Sequence, residues 1–191
     1  MDTGDLRIWD QTLAADGTQN PGTQFRFTNP SPFPPVRGTY HHSRYGHDRF
    51  LEYTETSAGS EIVAFRTSEH DFLRAEALLH TGGSPAEIAA LLDKTHVIDG
   101  GYAPTADLAV GSITDDSNPR HENGATLWSV LKYEKHIDLL GTWSGLQFWD
   151  KRGWGDLTSL TPLHFPVPAK ELQFLLIPNY TFGGGGVGSA Q

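Results

Sequence analysis

Cysteine is absent from the 191 residues. That excludes disulfides, thiolate metal ligands, a cysteine nucleophile and lipidation of a cysteine within this chain. No run of about 18 or more apolar residues occurs, so no segment reads as a membrane-spanning helix. Basic residues are scarce: 14 Lys and Arg stand against 23 Asp and Glu, a net charge of −9. No Lys/Arg cluster dominates any stretch, and this field would repel a phosphate backbone, so no nucleic-acid partner is expected. The start, Met1-Asp2-Thr3-Gly4-Asp5, lacks the basic start and apolar stretch of a signal peptide.

Catalytic signatures are missing as well. There is no H-E-x-x-H, and Thr142-Trp143-Ser144-Gly145 fails G-x-S-x-G because Thr142 replaces the first glycine. Gly183 to Gly188 matches G-x-G-x-x-G in form only, since no helix can follow it. His41, His42 and His47 read as surface or ligand-facing residues, because no carboxylate motif marks a further ligand. Neither a metal nor a cofactor is expected. Asp150 and Asp156 flank Trp154 in the most enzyme-like carboxylate arrangement. Capping and salt bridging with Lys151 or Arg152 is the plainer reading of that pair.

Aromatic residues are plentiful. Five Trp, six Tyr and ten Phe are too many for a disordered chain, so a core can form. The length fits one domain, or a domain with an appendage. The 21 Gly and 12 Pro imply much loop. Three parts follow: a loop-rich segment, 1–66; a helical region, 67–182; and a flexible glycine-rich tail, 183–191. Within the first, Gln24-Phe25-Arg26-Phe27-Thr28 alternates as a short strand would. Tyr40-His41-His42-Ser43-Arg44-Tyr45-Gly46-His47 is polar and aromatic, more like a surface than a core.

Helical signals begin at Thr67. Ser68 is expected to cap, with Asp71 three residues on, and Gly82-Gly83 to stop the helix. Ser84-Pro85-Ala86-Glu87 restarts one at once, with Ser84 as N-cap, Pro85 in the first turn and Glu87 closing a capping box. The connection is so short that the two helices must pack antiparallel. A third helix is predicted from about Ala125 to Leu140, its buried stripe formed by Leu127, Val130, Leu131, Ile137 and Leu140. Glu134 and Asp138, flanked by Lys132, Lys135 and His136, are expected on a solvated face. A short fourth helix is predicted from Ser144 to about Arg152, buried through Phe148, Trp149 and Trp154. Ala169-Lys170-Glu171-Leu172 can add one turn behind Pro168.

Exposed aromatic rings beside polar groups suit sugars: a ring stacks on the apolar face of a pyranose while polar groups take its hydroxyls. Trp9, Tyr40, His42, Arg44 and Tyr45 are the candidate ligand-binding residues on that ground. The plainer alternative is that these aromatics pin loops to the helices. No catalytic residue is assigned.

Three segments together resemble the C-terminal part of the SusD/RagB family. Phe72-Leu73-Arg74-Ala75-Glu76-Ala77-Leu78-Leu79 with its glycine turn is similar to that family's hydrophobic-x-Ala-Glu-Ala hairpin of tetratricopeptide type. Leu131-Lys132-Tyr133-Glu134-Lys135-His136-Ile137-Asp138-Leu139, with Phe148-Trp149-Asp150-Lys151-Arg152-Gly153-Trp154-Gly155-Asp156-Leu157, resembles its E-R-x-x-E-L and D-L-x-R-W-G block. Phe165-Pro166-Val167-Pro168-Ala169-Lys170-Glu171-Leu172 resembles the closing P-I-P-x-x-E-L segment, followed by Pro178-Asn179-Tyr180.

The resemblance implies a mainly α fold of tetratricopeptide-like hairpins with long irregular loops. It implies a lipoprotein subunit at the bacterial outer-membrane surface that captures glycans or other nutrients. The subunit would pass them to a TonB-dependent transporter, acting by binding and not as an enzyme. Such proteins are longer, so a C-terminal portion is the expectation. A fragment of a polysaccharide-degrading enzyme and a helical-repeat adaptor that binds protein are the rival readings.

Overall fold

A computed structural model describes residues 4–8, 22–27, 45–47, 64–115, 126–140, 142, 146–157 and 167–178. The described residues are mainly helical. Among the described residues there are five helices, α1 (Thr67–Thr81), α2 (Pro85–His96), α3 (Leu127–Asp138), α4 (Leu146–Trp154) and α5 (Ala169–Leu175). Two short strands, β1 (Phe25–Phe27) and β2 (Tyr45–His47), form an antiparallel pair with Phe25 opposite His47 and Phe27 opposite Tyr45. The chain divides into two units, 1–143 and 144–191.

Helices α1 and α2 form the antiparallel hairpin that the short turn requires. Gly82 adopts φ +70°, the left-handed conformation that lets α1 stop, and the Gly83 N–H closes onto the Leu78 carbonyl at 2.8 Å. The capping chemistry differs from expectation. Arg66 is the N-cap of α1, and Ser68 lies inside the helix. Ser84 does cap α2 by backbone conformation, but its side chain makes no cap hydrogen bond. Glu87, freed from a box, pairs across the hairpin with Arg74, while Lys94 Nζ reaches Asp71 Oδ2 at 2.8 Å. Both pairs are partly exposed and contribute at most about 1 kcal/mol each.

Helix α3 lies against both members of the hairpin. Its start is better capped than theirs. Thr126 Oγ1 accepts from the Ser129 N–H, and Ser129 Oγ accepts from the Thr126 N–H. The next free amides, of Leu127 and Trp128, donate to the carbonyls of Ala109 and Val110. Every orphan donor satisfied in this way spares the desolvation penalty of a buried helix end. Phe72, Ala75 and Leu79 of α1, Ile88, Leu91 and Leu92 of α2, and Leu127, Val130 and Leu131 of α3 are buried and form the apolar core of the trio. Full burial of each large member stabilises the fold by about 1.5–3 kcal/mol.

In the second unit, α4 begins two residues later than predicted and ends at Trp154, its buried residue. Trp149 is not buried as expected. It is about half exposed (49%), with the Arg152 guanidinium carbon 5.8 Å from its ring centroid. The single turn expected behind Pro168 extends to the seven residues of α5 and ends at Leu176, whose φ is +54°.

Phe72→Ala empties a fully buried position and is expected to destabilise the first unit by about 3–5 kcal/mol. Leu73→Ala, next to it but half exposed, is expected to stay within about 0.5 kcal/mol. Denaturant midpoints of the two variants check the assignment of the buried face.

Candidate functional site

The charged residues of α3 are not solvated. Lys132, Glu134, Lys135 and Asp138 are all buried, which overturns the expected polar face. The reason is visible in the spacing. Glu134 follows Leu127 by seven residues and Asp138 follows Leu131 by seven, so both carboxylates continue the buried stripe. An isolated charge there would be very unfavourable. Each one instead meets a partner from a distant part of the chain.

Glu134 meets Arg7. The guanidinium donates from Nη1 to Glu134 Oε2 at 2.7 Å and from Nη2 to Oε1 at 3.0 Å, a two-point fork. On its other side Arg7 donates from Nε to Asp5 Oδ1 at 2.9 Å and from Nη2 to Asp5 Oδ2 at 2.7 Å. Tyr133 closes the cluster, its hydroxyl donating to Asp5 Oδ2 at 2.6 Å. An ionised carboxylate only accepts, so His96 Nδ1 donates to Glu134 Oε1 across 2.9 Å. The His96 ring stacks on Tyr102, with centroids 4.7 Å apart. Arg7, Asp5 and Glu134 together carry a net charge of −1, and their side chains are closed to solvent.

The environment acts on each group in a defined direction. Burial opposes ionisation of Glu134, but hydrogen bonds from His96 and Arg7, and the charge of Arg7, outweigh it. The Glu134 carboxyl is therefore held below its usual range. Burial likewise opposes the Arg7 charge, and the two carboxylates more than reverse that, so the guanidinium stays protonated. Burial and the hydrogen bond to Asp5 push the Tyr133 hydroxyl well up, keeping it a neutral donor. Asp99, half-buried in the turn after α2, is pushed up by burial and by the charge of Asp138, against the pull of Arg7 and Arg66.

Two further pairs fix α3 to α1. Lys135 Nζ donates to Glu76 Oε2 at 2.9 Å. Asp138 accepts from Arg66 Nη2 at 3.1 Å and from the Ser68 hydroxyl. Ser68 thus serves a carboxylate from α3 at the first turn of α1, where the helix dipole also favours negative charge. The oxygens of Asp5 and Glu134 are engaged by protein donors and turned away from solvent. Chemically, the arrangement clamps distant segments together.

Of the five residues predicted to bind ligand, Trp9, Tyr40, His42 and Arg44 lie outside the described residues. Tyr45 is the first residue of β2, opposite Phe27. Among the described residues no group of three or more His, Cys, Asp or Glu is arranged to hold a metal ion, and no helix is long and apolar enough to cross a membrane. No family model, curated protein or solved structure matches the chain.

Glu134→Gln leaves Arg7 paired with Asp5 but turns an amide N–H toward the Arg7 and His96 donors, and is expected to destabilise the fold by about 1–3 kcal/mol at neutral pH. A carboxyl with a lowered folded value contributes its stability above its unfolded value and loses it as pH falls through the folded one. The gap between wild type and variant should therefore narrow below about pH 4. Asp99 has the opposite sign. Its raised folded value favours the fold in the protonated form, and that contribution is lost as pH rises. Asp99→Asn is expected to raise the denaturation midpoint at about pH 7 and leave it unchanged near pH 3. Urea titrations across pH 3–8 read both effects.

Proposed function

We propose that this chain is part of a SusD/RagB-like binding subunit, built from tetratricopeptide-like hairpins. It captures glycans at the bacterial outer-membrane surface for delivery to a TonB-dependent transporter. One observation carries the reading. Two of the segments that carry the resemblance also supply residues that join the helices, although Asp138 stands where the family usually has Glu. Glu76, the acid of the Ala-Glu-Ala helix, pairs with Lys135 of the second block at 2.9 Å. Glu134 and Asp138 of that same block hold Arg7 and Arg66. These pairs support the reading in that two of the three segments carrying the resemblance meet through Glu76 and Lys135.

The clamp orders a scaffold and leaves ligand contact to the loop-rich half. Trp9, Tyr40, His42, Arg44 and Tyr45 supply stacking rings, hydrogen-bond donors and a planar cation, the groups that sugar rings and hydroxyls need. Binding, not bond cleavage, is the expected outcome of that set.

Calorimetric titration of the chain with a panel of soluble oligosaccharides is expected to give saturable binding to at least one, with no growth of reducing ends over time. Trp9→Ala combined with Tyr45→Ala is expected to weaken that binding by roughly tenfold or more, the scale of losing two stacking contacts, with helical circular dichroism unchanged. Unchanged affinity in the double variant removes the site assignment. Product that accumulates with time favours a polysaccharide-degrading enzyme instead.

A further inference from the structure

The segment 4–8 lies between two parts of the first unit and is bonded to each. Toward the helices, the Leu6 N–H donates to the Gly100 carbonyl at 3.0 Å, and Arg7 and Asp5 enter the buried cluster on Glu134 and Tyr133. Toward the strands, the Arg7 carbonyl accepts from the N–H groups of Gln24 and Phe25 at 3.0 and 2.8 Å. The Leu6 carbonyl accepts from Thr23 at 3.1 Å. Ile8 adds a parallel bridge to Phe25, and both side chains are buried.

The fit on the strand side is tight. A Cβ at Gly22 would meet the Arg7 carbonyl oxygen and the Ile8 carbonyl carbon at 2.4 Å. By contrast, no helix makes more than marginal contact with β1 or β2 among the described elements. Among the described residues, the route from helix to sheet runs α3, Arg7, residues 22–25, β1, β2.

We propose that Arg7 is a latch. Its side chain is locked into the helical trio and its carbonyl holds the strands, so the order of the β1–β2 pair is conditional on one buried ionic clasp. Opening the clasp releases the sheet as a unit and leaves the hairpin and α3 folded. The asymmetry has a physical basis. The trio keeps its own apolar core, its capped α3 and the Glu76–Lys135 pair when Arg7 is gone. A sheet of two three-residue strands has no independent stability to fall back on. The device makes residues 22–27 and 45–47 a cooperative block that opens below the global unfolding free energy.

Hydrogen exchange of the full chain, read by mass spectrometry, tests this. In Arg7→Met, peptides covering 22–27 and 45–47 are expected to exchange roughly a hundredfold or more faster, the scale on which losing one partner of a buried ion pair acts. Peptides covering 72–92 and 127–135 are expected to keep their protection. Arg7→Lys should fall between, since an ammonium group cannot fork onto two carboxylates.

A merely structural role would lower protection everywhere together, and that result, or no change in the strands, overturns the proposal. If Arg7→Met does not fold, native-state exchange of the unsubstituted chain in low urea tests the same point. The amides of Leu6, Thr23, Gln24 and Phe25 must then open as one group before those of α1–α3. Opening of all of them in one global event overturns the latch.

Discussion

A guanidinium held between two carboxylates and closed to solvent is the constraint that fixes residues 4–8, and through them the strand pair, to the helical trio. Removing Arg7, Asp5 and Glu134 from solvent is expensive, and their mutual attraction offsets that only when the donors find acceptors. Here the fork onto Glu134 and the second pair of bonds to Asp5 engage four of the five guanidinium N–H groups, and Tyr133 and His96 donate to the carboxylates from outside. The polar cluster gains in specificity what an apolar core gains in transfer free energy. Leucine tolerates many neighbours, whereas a buried Glu134 tolerates few. The position of 4–8 is correspondingly unique.

The same logic spreads along α3. This helix is buried on nearly all sides and is still rich in charge, so its packing is set by pairing as much as by shape. Lys135 faces α1 through Glu76, Glu134 faces α2 and the N-terminal segment through His96 and Arg7, and Asp138 faces the start of α1 through Arg66 and Ser68. The apolar residues fix which elements meet; the ion pairs fix their register along one another. In the proposed function this division has a use, because a rigid, self-satisfied trio leaves the surrounding loops free to specialise for ligand.

Much of the helical hairpin is legible from residues alone. Pro85 after Ser84 and the Gly82-Gly83 pair mark boundaries by local chemistry, and local chemistry decides them in the fold. The failures share one cause. Ser68, Glu87, Glu134 and Asp138 all have nearby duties that their neighbours in sequence suggest, and all are diverted to partners 13 to 127 residues away. Long-range pairing is invisible to a local window. One signal is present nonetheless: Glu134 and Asp138 sit at heptad distance from Leu127 and Leu131. Strand β2 gives no such signal, because Tyr45-Gly46-His47 is too short to alternate and gains its strand conformation from β1. Side-chain chemistry singles out the candidate ligand residues, and chemistry alone does not say where a loop places them.

The clasp joins residues 127 positions apart. A chain made from its N-terminus exposes Asp5 and Arg7 long before Glu134 exists. The hairpin of α1 and α2 has only neighbouring contacts to find and can form during synthesis. The clasp must wait until α3 has left the ribosome. Until then Arg7 is a solvated cation next to its own aspartate, and the apolar Ile8 and Phe25 lack their cover. Birth order thus sets a window in which residues 4–8 and 22–27 of the nascent chain are open to chaperones, proteases or other nascent chains, and the last helix of the trio closes it.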